Sequence, residues 1–277
     1  MKELCLDLLM LLLPKNHLSR LTGWLVSCRL PRPFGPWLVR GFATFYGIRL
    51  DEAEYPLDHY QSIGDLFTRA LKPGLRPIHS GAVHAADGRI AEWGVIRQHT
   101  LLQAKGKTYT LPDLLQDPGA AEPFEGGYFV TYYLCPTDYH RVHCPVSGSI
   151  VSSTHIPGRL WPVNAWGVRS VNNLFAVNER VMIDIQCEQT RVCVIMIGAT
   201  NVGKMTMAFD RELVTNRGGQ GIQRKSYGVG IAVTKGDELG TFNMGSSVVV
   251  LYPPDLIDIQ ADPRGPVRMG ETLALFM

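Results

Sequence analysis

Residues 235–254 read KGDELGTFNMGSSVVVLYPP. Gly and Asp open this segment as a turn. Val248-Val249-Val250-Leu251-Tyr252 is a β-branched run closed by Pro253-Pro254, which predicts a short buried strand. Gly245-Ser246-Ser247 lies between the two parts. A serine after glycine, at the mouth of a buried strand, sits on backbone with unusual freedom, a setting that suits strain in the Gly245–Ser246 peptide. No G-x-S-x-G is present and a strand follows the serine, so this is not the strand-to-helix elbow of an α/β-hydrolase.

The same punctuation extends outward. From about residue 76, short Val/Ile/Thr/Tyr segments alternate with Gly, Pro and Asp turns, as at 128–134, 181–185, 192–197 and 231–234. Residues 111–115 read as one short helix. Residues 1–72 differ. Leu pairs at 8–9 and 12–13, then Leu18, Leu21, Trp24 and Leu25, recur at three- and four-residue spacing, and Pro14, Pro31, Pro33 and Pro36 cut the region into short helices. Residues 62–71 (SIGDLFTRAL) predict a further helix ended by Lys72-Pro73-Gly74. The expected class is α+β: short N-terminal membrane-associating helices (1–72), then a mainly antiparallel β catalytic body (73–277).

The chain has 277 residues, 45% hydrophobic and 19% charged, which suits a packed core and argues against global disorder. Net charge is +2, no signature of a nucleic-acid binder. The charge is uneven. Residues 1–50 carry seven basic against two acidic side chains, a balance of +5 that leaves −3 for the rest. A basic, apolar N-terminal segment on a neutral body predicts contact with an anionic membrane surface. The apolar run at 4–13 is shorter than the ~20 residues needed to span a bilayer and reads as an interfacial helix. The six cysteines form no CxxC pair, and free thiols are expected.

Three segments carry candidate chemistry: Ala86-Asp87-Gly88, His140-Arg141-Val142-His143 and Gly245-Ser246-Ser247. A hydroxyl is a weak nucleophile until a base takes its proton, and a carboxylate can orient that base. Read singly, each is ordinary: Asp-Gly is a turn dipeptide, and Gly-Ser-Ser is a common loop string. His140 and His143 have no evident third partner for a metal, and none is expected.

Together, SIGDLFTRALKPGLRPI (62–78), AADGRI (85–90), LLQAKGKTYTLPDLL (101–115), YLCPTDYHRVHCPVSG (133–148), PGRLWPVN (157–164), NLFAVNERV (173–181), VIMIGATNVG (194–203) and KGDELGTFNMGSSVVVLYPP (235–254) resemble the bacterial-type phosphatidylserine decarboxylases, from about residue 60 to the end. The family usually has Leu-Gly-Ser-Thr where this chain has Met244-Gly245-Ser246-Ser247. Met keeps the volume and Ser the hydroxyl, so processing is expected to survive.

The resemblance implies that His143, oriented by Asp87, removes the proton from Ser246. That serine then attacks Gly245 and becomes a covalent pyruvoyl cofactor. A β chain (1–245) and an α chain (246–277) result, forming a heterodimer and permitting a dimer of such units. The pyruvoyl carbonyl would condense with phosphatidylserine as a Schiff base, giving phosphatidylethanolamine and CO2, with His140 assisting that step. The implied location is peripheral, on the cytoplasmic side of the cell membrane. The loop at 157–164 would touch substrate; Leu160 and Trp161 suit either lipid chains or the core. A non-processing homologue without activity and a serine hydrolase using Ser246 are the alternatives.

Overall fold

The computed structural model describes residues 15–31, 34–104, 107–188, 190–200, 204–216, 221–243 and 246–277. The apolar run at 4–13, Met244 and Gly245 lie outside the described residues. Sixteen strands are described: β1 Ala82–Val83, β2 Gly88–Val95, β3 Thr100–Ala104, β4 Lys107–Thr110, β5 Tyr128–Leu134, β6 Arg141–His143, β7 Gly148–Ile156, β8 Arg180–Cys187, β9 Thr190–Ile197, β10 Met205–Met207, β11 Gln223–Val233, β12 Glu238–Phe242, β13 Ser246–Tyr252, β14 Ile257–Asp258, β15 Gly265–Val267 and β16 Thr272–Phe276. Eight of them form one antiparallel sheet in the order β11-β7-β8-β9-β13-β5-β2-β15. The expected α+β class, with short N-terminal helices before a β-rich body, is what the chain adopts.

The run at 246–252 is the middle of this sheet. β13 pairs with β5 on one side and β9 on the other, and all seven of its residues are buried. Successive side chains point to opposite faces. Val248, Val250 and Tyr252 enter one core with Val130, Tyr132 and Leu134. Val249 and Leu251 enter a second core with Leu101, Phe175 and Ile195. A strand covered on both faces needs apolar residues at every position, which explains a continuous run instead of alternation. On the first face lies a small sheet of order β10-β12-β6, so β12 leads from this sheet into β13.

Two amphipathic helices open the described chain, α1 Lys15–Ser27 and α2 Phe34–Tyr46. Pro36 falls in the first turn of α2, where its missing N–H costs nothing. Leu21, Trp24, Leu25, Phe34, Trp37 and Phe45 are all more than half exposed. No described helix is long and apolar enough to cross a membrane. A third helix, α3 Ile63–Phe67, is capped by Ser62, whose Oγ accepts from the Asp65 N–H at 3.0 Å. It stops four residues short of the expected end at 71. Thr68 Oγ1 donates to the Gly64 carbonyl, and the chain beyond is drawn into pairing with residues 52–54: Glu54 N–H donates to Ala70 at 2.9 Å and Lys72 N–H to Glu52 at 3.0 Å. The expected helix at 111–115 forms as α4 Leu111–Leu115. Two more, α5 Ala165–Ser170 and α6 Leu174–Val177, are too short to leave a helical period in the sequence. Leu160 and Trp161 are core residues, 0% and 5% exposed. All five described cysteines are free thiols.

Candidate active site

The three candidate segments converge through strand pairing. β6 is held between two neighbours. On one side the His143 N–H donates to the Ala85 carbonyl at 2.7 Å, two residues before Asp87. On the other, β6 pairs with β12, and the Phe242 N–H donates to the His140 carbonyl at 3.0 Å. Four residues past Phe242 the chain reaches Ser246, which pairs with Leu134 at the head of β13. On the far side of β5, Arg89 pairs with Tyr133, the partner of Ser247. The Asp87 backbone therefore lies about two strand spacings, roughly 10 Å, from that of Ser246.

Ser246 is 0% exposed, and its Oγ has no hydrogen-bond partner among the described residues. A buried hydroxyl left unpaired costs ~1–3 kcal/mol, so such an atom marks a place where something other than stability is served. Its parity places it on the face of the sheet covered by β12 and β6, while Ser247 points to the opposite face.

His143 is buried, and both ring nitrogens are engaged. Nδ1 lies 2.7 Å from the Gly236 carbonyl, and Nε2 lies 3.0 Å from the Tyr139 hydroxyl. A carbonyl only accepts, so Nδ1 carries the proton and the Nε2 lone pair receives the Tyr139 O–H. Burial lowers the His143 pKa; the Gly236 bond, Glu238 and Asp87 pull the other way. The ring is thus neutral at pH 7, the state a base requires. Tyr139 stays a donor because burial pushes its phenol far above the ordinary value. The turn supplying the Gly236 carbonyl needs glycine. Its φ is +93°, and a Cβ would meet Ile78 at 2.6 Å.

His140 is fully enclosed, its ring stacked on Phe67 with centroids 4.0 Å apart. Neither nitrogen has a well-formed hydrogen bond. Burial first, then the Arg69 guanidinium, push its pKa down to about 3, with only the Cys135 backbone acting against them. Arg69 is itself buried and donates to the carbonyls of Thr137 and Asp138 at 3.0 and 3.3 Å, fixing the loop that carries Tyr139 and His140.

Asp87 is brought near His143 but is not hydrogen-bonded to it. Its carboxylate accepts from Arg76 Nε at 2.9 Å, from Arg76 Nη2, and from the Met269 N–H at 2.9 Å. Arg76 also binds Glu52 at 2.8 Å, and Glu52 binds Arg49 at 2.8 Å. The aspartate is therefore fixed by a buried arginine, and it acts on His143 through space. The following glycine is obligatory, since at φ +144° a Cβ on Gly88 would lie 2.5 Å from the Tyr133 carbonyl. Arg69, Arg76, Tyr139 and the Gly236 carbonyl were not among the candidates read from sequence. The signal available was two arginines within residues 62–78, a string that otherwise reads as a helix and a turn. No cluster of three or more metal-ligating side chains occurs among the described residues.

The other face holds an open cavity of about 450 Å³ between β2, β5 and α5. Ser247, Tyr133, Thr131, Arg89 and Arg264 line its polar side, and Val163, Val168 and Phe175 its apolar side.

The family model described as phosphatidylserine decarboxylase matches residues 63–275. A protein of Myxococcus xanthus named phosphatidylserine decarboxylase proenzyme is 39% identical, with 96% of each chain covered. Proteins of the same name from Anaeromyxobacter sp. and Bordetella pertussis are 42% and 41% identical; 95% of this chain is covered in both cases, and 95% and 92% of theirs.

Proposed function

Because the chain belongs to the phosphatidylserine decarboxylase family, we propose that it is made as a precursor that cuts its own Gly245–Ser246 bond and then decarboxylates phosphatidylserine to phosphatidylethanolamine. The observation that carries this reading is the buried, unpartnered Ser246 Oγ at the head of a central strand, on the face covered by β12 and by β6, the strand that carries His143.

In the proposed cleavage, the Ser246 hydroxyl attacks the Gly245 carbonyl carbon. Its proton passes to His143 Nε2, the nitrogen that the Gly236 bond leaves unprotonated, once the Tyr139 hydroxyl that now donates to it has turned away. The amide nitrogen departs protonated, and residue 246 is now joined to Gly245 through an ester. Loss of the Ser246 α-proton expels the Gly245 carboxylate and leaves a carbon–carbon double bond at residue 246. Water then releases ammonia and leaves a ketone. Asp87, fixed by Arg76, favours the imidazolium that His143 becomes in the first step.

The resulting chains, 1–245 and 246–277, would stay together without a covalent link. The second contributes β13, buried between β5 and β9, and also β15 and β16. The fit of the proposed cofactor rests on Ser246 itself: its side chain is enclosed and has no competing partner. The pyruvoyl group would supply a carbonyl electron sink for the pair left behind by CO2. His140, kept neutral in its apolar enclosure, would hold no spare proton; it would assist as an uncharged group beside the reacting carbon, with the α-carbon's proton drawn from water. The exposed apolar faces of α1 and α2, flanked by Arg20, Arg29 and Arg40, would rest on the anionic surface that contains the substrate.

An intact-mass measurement tests the reading. Two chains are expected, with a single 30.7 kDa chain for Ser246→Ala. A decarboxylating preparation that remains one chain with an ordinary serine at 246 would refute it, as would labelling of Ser246 by a fluorophosphonate in full-length protein.

A further inference from the structure

The cavity on the Ser247 face holds one cation that no described residue neutralises. Arg264 at its rim is balanced by Asp262 at 3.0 Å and Glu92 at 3.3 Å. Arg89 has no ion pair or hydrogen bond among the described residues. Its position is set by register. Ser247, Tyr133 and Arg89 are directly opposed across β13, β5 and β2, so all three side chains project from the same face. The Arg89 backbone lies about 10 Å from residue 247, measured as two strand spacings, and an arginine side chain can span much of that distance. Thr131 stands two residues further along β5 on the same face, its Oγ1 fully buried in the cavity wall with only a weak approach to the Tyr109 hydroxyl.

The geometry points to Arg89 as the residue that recognises the phosphodiester of the substrate headgroup, with the Ser247-face cavity as the headgroup pocket. This rests on the reading that residue 246 is the reacting end. In a phosphoserine headgroup the phosphorus lies three bonds beyond the α-carbon, through the β-carbon and its oxygen. Residue 246 is the head of β13, so a headgroup that turned from this strand end onto the Ser247 face would set its phosphodiester between residue 247 and Arg89, beside Tyr133. The carboxylate has the opposite requirement. It leaves as neutral CO2, and a guanidinium beside it would stabilise the ground state and slow its loss. A single uncompensated cation displaced from residue 246 suits the first group and spares the second. The apolar side of the cavity, Val163, Val168 and Phe175, would face the glycerol and the start of the acyl chains.

The test uses sn-glycero-3-phosphoserine, a headgroup without acyl chains. Calorimetric titration into full-length Ser246→Ala protein, which cannot react, reads binding alone. Arg89→Met should weaken binding about tenfold, the effect of one charge-assisted bond at a half-open site, and Arg89→Lys should recover part of it. In processed enzyme, Arg89→Met should raise KM for short-chain phosphatidylserine about tenfold and change kcat much less, with self-cleavage complete. Unchanged binding in Arg89→Met, or a loss confined to kcat, overturns the proposal. Failure of the wild-type chain to cleave would instead overturn the reading of residue 246, while the titration would still decide whether Arg89 binds the phosphodiester.

Discussion

Replacing Arg76 with methionine isolates the device that holds Asp87. The guanidinium is 4% exposed, and it lies between Asp87 at 5% and Glu52 at 14%. Burial alone would lower its pKa; the bonds to Asp87 and Glu52 reverse this and keep it charged. Methionine retains the volume and removes only the cation. Two enclosed carboxylates then face one another. Asp87 is left with the Met269 N–H, and Glu52 with the half-exposed Arg49. Removing one partner of a buried pair costs ~3–5 kcal/mol, because the surviving charge stays desolvated. A 277-residue chain gains about 0.6 kcal/mol/K of entropy on unfolding, so the midpoint should fall by roughly 5–9 °C. Calorimetry in the Ser246→Ala background keeps every sample a single covalent species. Adding Asp87→Asn to Arg76→Met should restore at least half of the loss, since the orphaned charge goes with it. A fall below about 2 °C, or a double variant that simply adds the two single losses, would refute the argument. With Ser246 intact, Arg76→Met should also slow the appearance of the two chains.

Tyr139→Phe removes the donor that stabilises neutral His143, so the His143 pKa should rise and the acid limb of the self-cleavage rate should move to higher pH, by up to about one unit; a limb that stays in place would deny Tyr139 this role. His84 and His140 are held down at about 4 and 3 by burial, so the unfolded chain binds protons first as pH falls below 6.5. The contribution of these two rings to stability is therefore fully present above that value and is lost progressively between pH 6.5 and about 3, by several kcal/mol at ~1.36 kcal/mol per unit. The thermal midpoint should drop across this window, and less steeply in His84→Gln; a flat wild-type profile contradicts the assignment. Trp24, Trp37 and Phe45 are 65%, 75% and 81% exposed. Changing all three to alanine should reduce flotation with phosphatidylglycerol vesicles at least tenfold without moving the midpoint; unchanged flotation would remove these helices as the docking face.

Much of this protein is written locally. The apolar run at 248–252 makes a buried strand because β-branched residues favour extended backbone and nothing polar marks a solvent face. The period of two then sends residues 246 and 247 to opposite sides of any sheet they enter. The Asp-Gly, His-x-x-His and Gly-Ser-Ser segments were readable as candidate chemistry for the same reason, since each is a short string with its own backbone demands. What each group touches was not readable. Asp87 is fixed by residues 11 and 182 positions away, and His143 by a carbonyl 93 positions away. Helix α3 ended early because a distant segment competed for its backbone, and Arg89 gained its meaning from a register shared with Ser247 across an intervening strand. Sequence sets backbone preference and parity, which act over a few residues. Hydrogen-bond partnership and desolvation are properties of what the folded chain places within 3 Å, and only tertiary packing decides that.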